Sequence, residues 1–222
     1  MQELSAEQFF SLEAFDHKAL FERDAPVWDA LHQLIPYLKK AQLGKIEIEI
    51  PSTVYLVNPS QISIAKGCVI EPGVYIQGPV ILGAGTVVRH GAYIRGAVIT
   101  GKNCIIGHAT EVKRSIFLDR AQAAHFNYVG DSILGNDVNL GAGVKLANYR
   151  FDHAPVTLMY HGNKITTHLK KFGAAIGDGT QIGCNAVTGP GTIIGPSSFC
   201  YPCMSMTGVF PPRTIYRNKE KK

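Results

Sequence analysis

The sequence lacks the features that attach a protein to a membrane or export it. No run of apolar residues is long enough to span a bilayer. The N-terminal stretch MQELSAEQFF has neither the basic start nor the apolar core of a signal peptide. We therefore expect a cytoplasmic protein with no membrane partner.

The sequence also lacks a paired cysteine framework. Its five cysteines are an odd and scattered set, which is typical of reduced, small hydrophobic side chains. Cys200 and Cys203 have CxxC spacing, but no second pair completes a zinc site. No metal site is predicted.

Two further absences exclude classes of function. The chain has a net charge of +5, but its basic residues are not interleaved with aromatic ones, so a nucleic-acid partner is not expected. Much of that charge lies in the last ten residues, which read as a solvated tail. No βαβ segment with a glycine-rich phosphate loop is present, which argues against nucleotidyl transfer by this chain.

What the sequence does contain is an aliphatic residue at every sixth position. The first series runs without a miss and is followed by three resumptions, at Ile64, Ile70, Ile76, Leu82, Val88 and Ile94; at Ile106, Val112 and Leu118; at Leu134, Leu140 and Leu146; and at Ile176, Ile182, Ile194, Cys200 and Met206. Six is neither a helical period nor a strand alternation. It is the signature of hexapeptide repeats, each of which supplies one short strand and one turn.

The repeat predicts an all-β solenoid, a left-handed parallel β-helix. Three hexads close one triangular turn, so residues 18 apart stack in adjacent turns about 4.8 Å apart. We expect the β-helix to span residues 46–210 and to be followed by a basic tail, 211–222.

Two segments do not follow the repeat. Residues 1–45 are predicted to be helical, with a start near Asp24 and Pro26, and to form a cap or an interface arm. The apolar stripe of this segment reads as core: Trp28, Leu31, Leu34, Ile35 and Leu38. Residues 148–172 interrupt the turns and are expected to protrude as a loop that reaches a neighbouring subunit.

The stretch AAHFNYVGD, residues 123–131, places a histidine where the repeat is expected to break. Together with YIRGA (93–97), EVKRS (111–115), DVNLGAG (137–143) and NY (148–149), it resembles the acetyltransferase half of bacterial N-acetylglucosamine-1-phosphate uridyltransferase/glucosamine-1-phosphate acetyltransferase. Stand-alone hexapeptide-repeat proteins labelled sugar-phosphate nucleotidyltransferase-like are similar too. The match covers about 91–149, and the nucleotide-transferring half has no counterpart.

The resemblance implies roles for individual residues. His125 matches the general base that takes a proton from the sugar amine, and Glu111 matches a carboxylate that holds or polarises the imidazole. Arg95 and Lys113 match cations that bind the sugar phosphate, and they are 18 apart, so we expect them to stack. Tyr128 and Asn139 match two further contacts to the substrate. Asn148 and Tyr149 match two residues at the lip of the site near the reacting amine, and Asn148 is counted with the catalytic residues.

The chain departs from this family after Tyr149. Lys164 is expected to replace a substrate-binding lysine that the insertion displaces. Where the family contacts the coenzyme, this chain has Cys184, Pro202 and Arg217. The resemblance implies an acetyl-CoA-dependent N-acetyltransferase that acts on an amino-sugar phosphate, first of all glucosamine 1-phosphate. Its product would lead to UDP-N-acetylglucosamine and cell-envelope precursors, and the enzyme would be a homotrimer with sites between subunits.

Two other interpretations stay open. A non-catalytic trimeric scaffold would bind a sugar phosphate or sugar nucleotide without turnover. A zinc enzyme similar to γ-class carbonic anhydrase is suggested by His90 and His108, which are 18 apart, but the residue five after His108 is Lys113 rather than histidine.

Overall fold

The chain folds into a parallel β-helix of about nine turns with one α-helix near the N-terminus, in the left-handed class that the hexads predict. The computed structural model describes residues 2–217. Each turn contributes one short strand to each of three eight-stranded parallel sheets, which form the three faces of a triangular prism. Faces 1, 2 and 3 are numbered in the order in which the chain visits them.

The strands of the three faces are short. Face 1 contains Tyr55–Val57, Tyr75–Gln77, Tyr93–Ile94, Glu111–Lys113, Tyr128–Gly130, Lys145–Leu146, Val187–Thr188 and Ser205–Met206. Face 2 contains Ile62–Ile64, Val80–Leu82, Val98–Thr100, Ser115–Phe117, Ile133–Leu134, Ala174–Ile176, Thr192–Ile194 and Val209–Phe210. Face 3 contains Val69–Ile70, Val87–Val88, Ile105–His108, Gln122–His125, Asn139–Leu140, Gln181–Ile182, Phe199–Cys200 and Ile215–Tyr216.

The hexad residues fill the interior of the prism. Every predicted inward position except Leu118 belongs to one continuous buried core. On face 1, Ile76 is paired with Ile94, so successive turns are 18 residues long as expected. The prediction of a hexapeptide β-helix is therefore confirmed.

Two turns are one residue shorter, and this corrects the predicted register. Val112 pairs with Val129, which is 17 residues on. The chain takes a five-residue step at the corner after Val112, where Arg114 has a positive φ of 44°. Phe117 consequently points into the core, and Leu118 faces outward into a second apolar cluster.

The same shift corrects the interpretation of residues 123–131. Ala123 and Val129 are both buried in the inner core six positions apart, so the repeat continues through this stretch. The histidine occupies an ordinary corner position between two inward residues.

The N-terminal segment covers a side of the prism rather than its end. Its α-helix is Asp29–Lys40, later than the predicted start, because Asp24 has a left-handed φ of 64°. Three single turns of 3-10 helix precede it, at Gln2–Leu4, Ala6–Gln8 and Lys18–Leu20, and a fourth, Pro59–Gln61, lies in an early turn of the prism. The segment packs its buried side chains on the outward aliphatic residues of face 2, including Ile99, Ile116 and Ile133.

The insertion 148–172 leaves the regular turns, and part of it folds back onto the chain while Phe151 is fully exposed. It contains an antiparallel hairpin, Thr157–Tyr160 with Asn163–Thr166. Its apolar side chains Val156, Leu158, Leu169 and Phe172 would be costly to expose, and they are buried against the N-terminal segment, where Trp28 lies 6.3 Å from Phe172 between ring centroids.

The β-helix also extends beyond its predicted end. Ile215–Tyr216 pairs with Phe199–Cys200 on face 3, so residues 211–217 belong to the last turn. The rest of the predicted basic tail, 218–222, lies outside the described residues.

Candidate functional site

A column of histidines lies along the corner between faces 3 and 1. His90, His108 and His125 occupy the same corner position in three successive turns, because the amides of Ala109 and Phe126 donate to the carbonyls of His90 and His108. Nδ1 of His108 lies 2.8 Å from the His90 carbonyl oxygen. Since a carbonyl only accepts, Nδ1 of His108 carries a proton.

His125 is the last residue of the face 3 strand Gln122–His125 and is exposed, as is His90. Among residues 2–217, no group lies within hydrogen-bonding distance of its ring nitrogens. Its backbone is fixed by the buried Asn127, whose Oδ1 accepts from the His125 amide at 3.1 Å and whose Nδ2 donates to the Gly141 carbonyl at 2.7 Å. The imidazole is therefore held at a defined corner while its nitrogens face outward.

Two of the residues predicted to contact the coenzyme continue the same column. The Gly143 amide donates to His125, Asn185 donates to Ala142, and Cys203 donates to Cys184. Cys184 and Pro202 thus lie on the corner that begins at His125, and both are exposed. Arg217 is adjacent to this corner on face 3, next to Tyr201 in the last turn.

Face 1 carries the predicted cations. Arg95 Nη1 donates to Glu111 Oε1 at 2.6 Å, and this hydrogen bond raises the pKa of Arg95. The Arg95 guanidinium also lies 5.7 Å from the ring centroid of Tyr93. The expectation that Glu111 holds the His125 imidazole is not met within one chain, because the carboxylate is engaged by Arg95.

Lys113 and Arg114 share a buried carboxylate. Asp131 is 1% exposed and accepts from Lys113 Nζ at 2.8 Å and from Arg114 Nη1 at 3.1 Å. Asn148 Nδ2 also donates to Asp131, and it lies 3.2 Å from the Tyr128 hydroxyl. Burial raises the pKa of Tyr128.

A glycine creates the room for this network. A Cβ at Gly130 would lie 2.6 Å from Asn148 Nδ2 and 2.7 Å from the Tyr128 hydroxyl. Only glycine at position 130 lets these side chains meet beside Asp131.

Arg95, Lys113 and Arg114 line one surface pocket of about 330 Å³ at the corner between faces 1 and 2. We call it the cation pocket. Arg95 and Lys113 lie side by side in it, as their spacing predicts, and Arg114 lies next to them. Gln77 is a further member that the sequence reasoning missed. Its signal is the same interval, since Gln77, Arg95 and Lys113 are each 18 residues apart.

Three predicted residues lie away from this pocket. Asn139 is on face 3. Tyr149 is at the base of the insertion, where its hydroxyl contacts His153 Nδ1 at 2.9 Å. Lys164 is exposed on the hairpin opposite the exposed Met159, whereas the other side of the hairpin, with Leu158 and Ile165, packs in the second apolar cluster. One chain therefore does not bring all the predicted substrate contacts together.

Residues 2–217 contain no group of three or more histidine, cysteine or acidic side chains arranged to hold a metal ion. The one α-helix is too short and too polar to cross a bilayer.

Comparison with known proteins gives partial matches to sugar-phosphate enzymes. The family model described as the GMPPB C-terminal domain matches residues 76–168. A bifunctional sugar-1-phosphate nucleotidylyltransferase/acetyltransferase of Sulfurisphaera tokodaii is 40% identical over 41% of this chain and 23% of the relative. A bifunctional protein GlmU of Methanococcus maripaludis is 35% identical over 77% of this chain and 41% of the relative.

A further bifunctional protein GlmU, from Methanococcus vannielii, is 43% identical over 40% of this chain and 21% of the relative. Among solved structures, the acetyltransferase domain of PglB from Neisseria gonorrhoeae has a TM-score of 0.36 at 16% identity, over 68% of this chain and 51% of that one, which is too distant to inform the site. The chain spans less than half the length of each of the three curated relatives named. These relatives confirm the family resemblance found in the sequence.

Proposed function

We propose that this GlmU-like β-helical chain is an acetyl-CoA-dependent N-acetyltransferase that acts on the amine of an amino-sugar phosphate. Glucosamine 1-phosphate is the first candidate substrate, with a product that leads to UDP-N-acetylglucosamine. The observation that supports this most directly is the combination, in adjacent turns, of an exposed imidazole with free ring nitrogens and a pocket lined by Arg95, Lys113 and Arg114.

His125 serves as the general base. The amine nitrogen attacks the thioester carbonyl carbon, and the imidazole takes the proton that the amine loses. The carbon–sulfur bond then breaks, the thiolate of coenzyme A takes that proton, and the amide and the free thiol are released. An imidazole can accept and return a proton at neutral pH, and such assistance contributes roughly 10²–10⁴ in rate.

The cation pocket binds the phosphate. The cations Arg95, Lys113 and Arg114 pair with only two carboxylates, Glu111 and Asp131. These five side chains therefore carry one net positive charge. The carboxylates hold Arg95 and Lys113 in place before the substrate arrives, which reduces the entropy that binding costs. In this account Glu111 positions Arg95 rather than His125, and Asn148 positions the Tyr128 hydroxyl toward the sugar.

The coenzyme follows the corner from His125 toward the C-terminal turn. Cys184 and Pro202 lie on that corner two and three turns beyond His125, and Arg217 is one turn further, roughly 19 Å away at ~4.8 Å per turn. The cation at the far end suits a coenzyme phosphate. The coenzyme and five free cysteines both suit a cytoplasmic, reducing environment.

A homotrimer with sites between subunits accounts for the three residues that lie apart. Asn139 on face 3, and Tyr149 and Lys164 on the insertion, would contact substrate held by a neighbouring subunit. No uridylyl transfer is attributed to the chain, since residues 2–217 contain one α-helix and no βαβ unit to hold a nucleotide.

The test is release of coenzyme A thiol from acetyl-CoA with glucosamine 1-phosphate, for the native chain and for Lys113→Ala. Native turnover with a raised KM for the sugar in the variant supports the proposal. Binding of the sugar phosphate without turnover of any amino-sugar phosphate would instead favour the non-catalytic scaffold.

A further inference from the structure

The cation pocket borders a second pocket that the proposed reaction does not use. This second pocket, which we call the helix groove, has a volume of about 500 Å³ and shares Pro79 and Ala97 with the cation pocket. Its outer wall is the C-terminal half of the helix Asp29–Lys40. A ligand bound to the cations therefore has room to continue toward the helix.

The surface between the two pockets is formed by the shared residues Pro79 and Ala97, and a glycine precedes each of them in the chain. Gly78 and Gly96 both line the cation pocket. A Cβ at Gly78 would lie 2.7 Å from the Gln61 Cβ, and Gly96 has a φ of 84° with its Cβ position 3.1 Å from the Gly78 carbonyl oxygen. The backbone is tightly packed at both glycines, and the residues between the two pockets carry no long side chain.

The helix wall is fixed to the cation pocket by Arg114. Its Nη2 donates to the Leu31 carbonyl in the helix at 3.2 Å, while its Nη1 donates to Asp131. One side chain thus joins the groove wall to the carboxylate that holds Lys113. The relative position of phosphate site and groove is built into the fold.

The order of features across face 1 gives the direction of the ligand. The His125 corner comes first, then Arg95 and Lys113 at the other end of the face 1 strands, and then the helix groove. When the amine lies beside His125 and the phosphate lies on the cations, the part of the ligand that reaches the helix groove is the group attached to the far side of the phosphate.

The lining of the groove indicates what that group is. Ile35, Leu38 and Leu43 give apolar surface, Gln61 and Ser60 provide polar groups, and Lys39 adds a cation. Flat apolar contact with a few hydrogen-bonding groups suits a nucleoside, and an extra cation suits a second phosphate. A long hydrocarbon chain would need a groove without this polar lining.

We infer that the substrate is a nucleoside-diphosphate-linked amino sugar whose nucleoside lies in the helix groove. This inference rests on the proposed acetyl transfer at His125 and narrows the class of its acceptor. It requires the sugar phosphate to carry a second phosphate and a nucleoside, rather than to end in a free phosphate.

The test compares UDP-glucosamine with glucosamine 1-phosphate as acceptors, using the full chain and thiol release. The native chain should have a kcat/KM at least roughly tenfold higher for UDP-glucosamine, as expected from one added charge-assisted contact. Lys39→Glu should remove that advantage without changing turnover of glucosamine 1-phosphate. Lys40→Glu is the matched control, because Lys40 is the exposed next residue of the same helix and does not line the groove.

The outcomes separate this inference from the proposed function. Equal kcat/KM for both acceptors, or equal effects of Lys39→Glu and Lys40→Glu, would overturn the nucleoside site and leave the acetyltransferase intact. Preference for a polyprenyl-linked sugar phosphate would also overturn it. Absence of turnover with either acceptor would contradict the proposed function itself.

Discussion

The carboxylate of Asp131 is buried at 1% exposure and accepts hydrogen bonds from Lys113, Arg114 and Asn148. Three side chains of the cation pocket and its surroundings therefore depend on one residue that does not itself line the pocket. A buried carboxylate that would not touch the substrate therefore holds the side chains of the proposed phosphate site in place.

Replacing Asp131 with asparagine tests this arrangement. Asparagine keeps the shape but loses the charge and replaces one accepting oxygen with an NH₂ donor, so Lys113, Arg114 and Asn148 are left with a single neutral acceptor. We expect KM for the sugar phosphate to rise about tenfold with kcat nearly unchanged, and the free energy of unfolding to fall by about 1–3 kcal/mol. Steady-state kinetics and chemical denaturation measure both. Asp16→Asn is the control, since its ion pair with Lys102 is exposed on both sides and contributes little to stability. An unchanged KM in Asp131→Asn would contradict the positioning role.

For individual residues, the sequence predicted which side chains lie near one another better than it predicted their hydrogen-bond partners. The 18-residue interval between Arg95 and Lys113 correctly put them side by side. It did not predict that Glu111 would bond Arg95, because the partner of a carboxylate depends on side-chain directions that spacing does not contain. Asn127 was missed because an asparagine in a turn has no periodic signal.

Among the elements, the N-terminal segment contains a contact whose stability depends on pH. His17 packs edge-on against Phe15 and Tyr37, and its Nδ1 lies 2.9 Å from the Tyr37 hydroxyl oxygen. Burial lowers the pKa of His17 below its ordinary value of 6.5, although Asp16 and Asp119 act in the opposite direction. The folded state thus favours the neutral imidazole.

The sign of the resulting pH dependence follows from linkage. Below the unfolded value of 6.5, the unfolded chain binds a proton that the folded chain resists. The contribution of His17 to stability is therefore present above that pH and is lost as the pH falls below it. We expect the Tm of the native chain to fall more than that of His17→Phe between about pH 7.5 and about pH 5.5. Equal losses, measured by scanning fluorimetry, would show that His17 does not contribute.

The hexads predicted the elements of the prism well, but not their register. Phe117 and Leu118 are adjacent apolar residues, and the period alone selected the wrong one, because a five-residue step at one corner cannot be seen when both neighbours are apolar. The insertion was predicted to protrude because it lacks the hexad. Its own apolar residues, Val156, Leu158, Leu169 and Phe172, were the signal that part of it would be buried.

For the whole molecule, the proposed site is complete only if a second copy supplies the residues that lie apart. Face 2 is covered by the N-terminal segment and the insertion, whereas faces 1 and 3 keep exposed apolar side chains such as Tyr55, Val69 and Phe199. Faces 1 and 3 are thus the available surfaces for packing between copies.

Light scattering on the purified full chain measures this directly. We expect a mass of about 72 kDa, three times the 24.1 kDa of one chain. A single species at the mass of one chain would contradict the trimer and would leave Asn139, Tyr149 and Lys164 without a role in the site.

In the proposed reaction, one imidazole at the corner of the β-helix takes the proton of an attacking sugar amine. The most direct test is the rate of thiol release from acetyl-CoA with amino-sugar acceptors, for the native chain, His125→Ala and His108→Ala. His108 is the matched control because it occupies the same corner one turn earlier. We expect kcat to fall roughly 10²–10⁴-fold in His125→Ala, with an unchanged Tm, and to stay near the native value in His108→Ala. Native turnover in His125→Ala would contradict the claim.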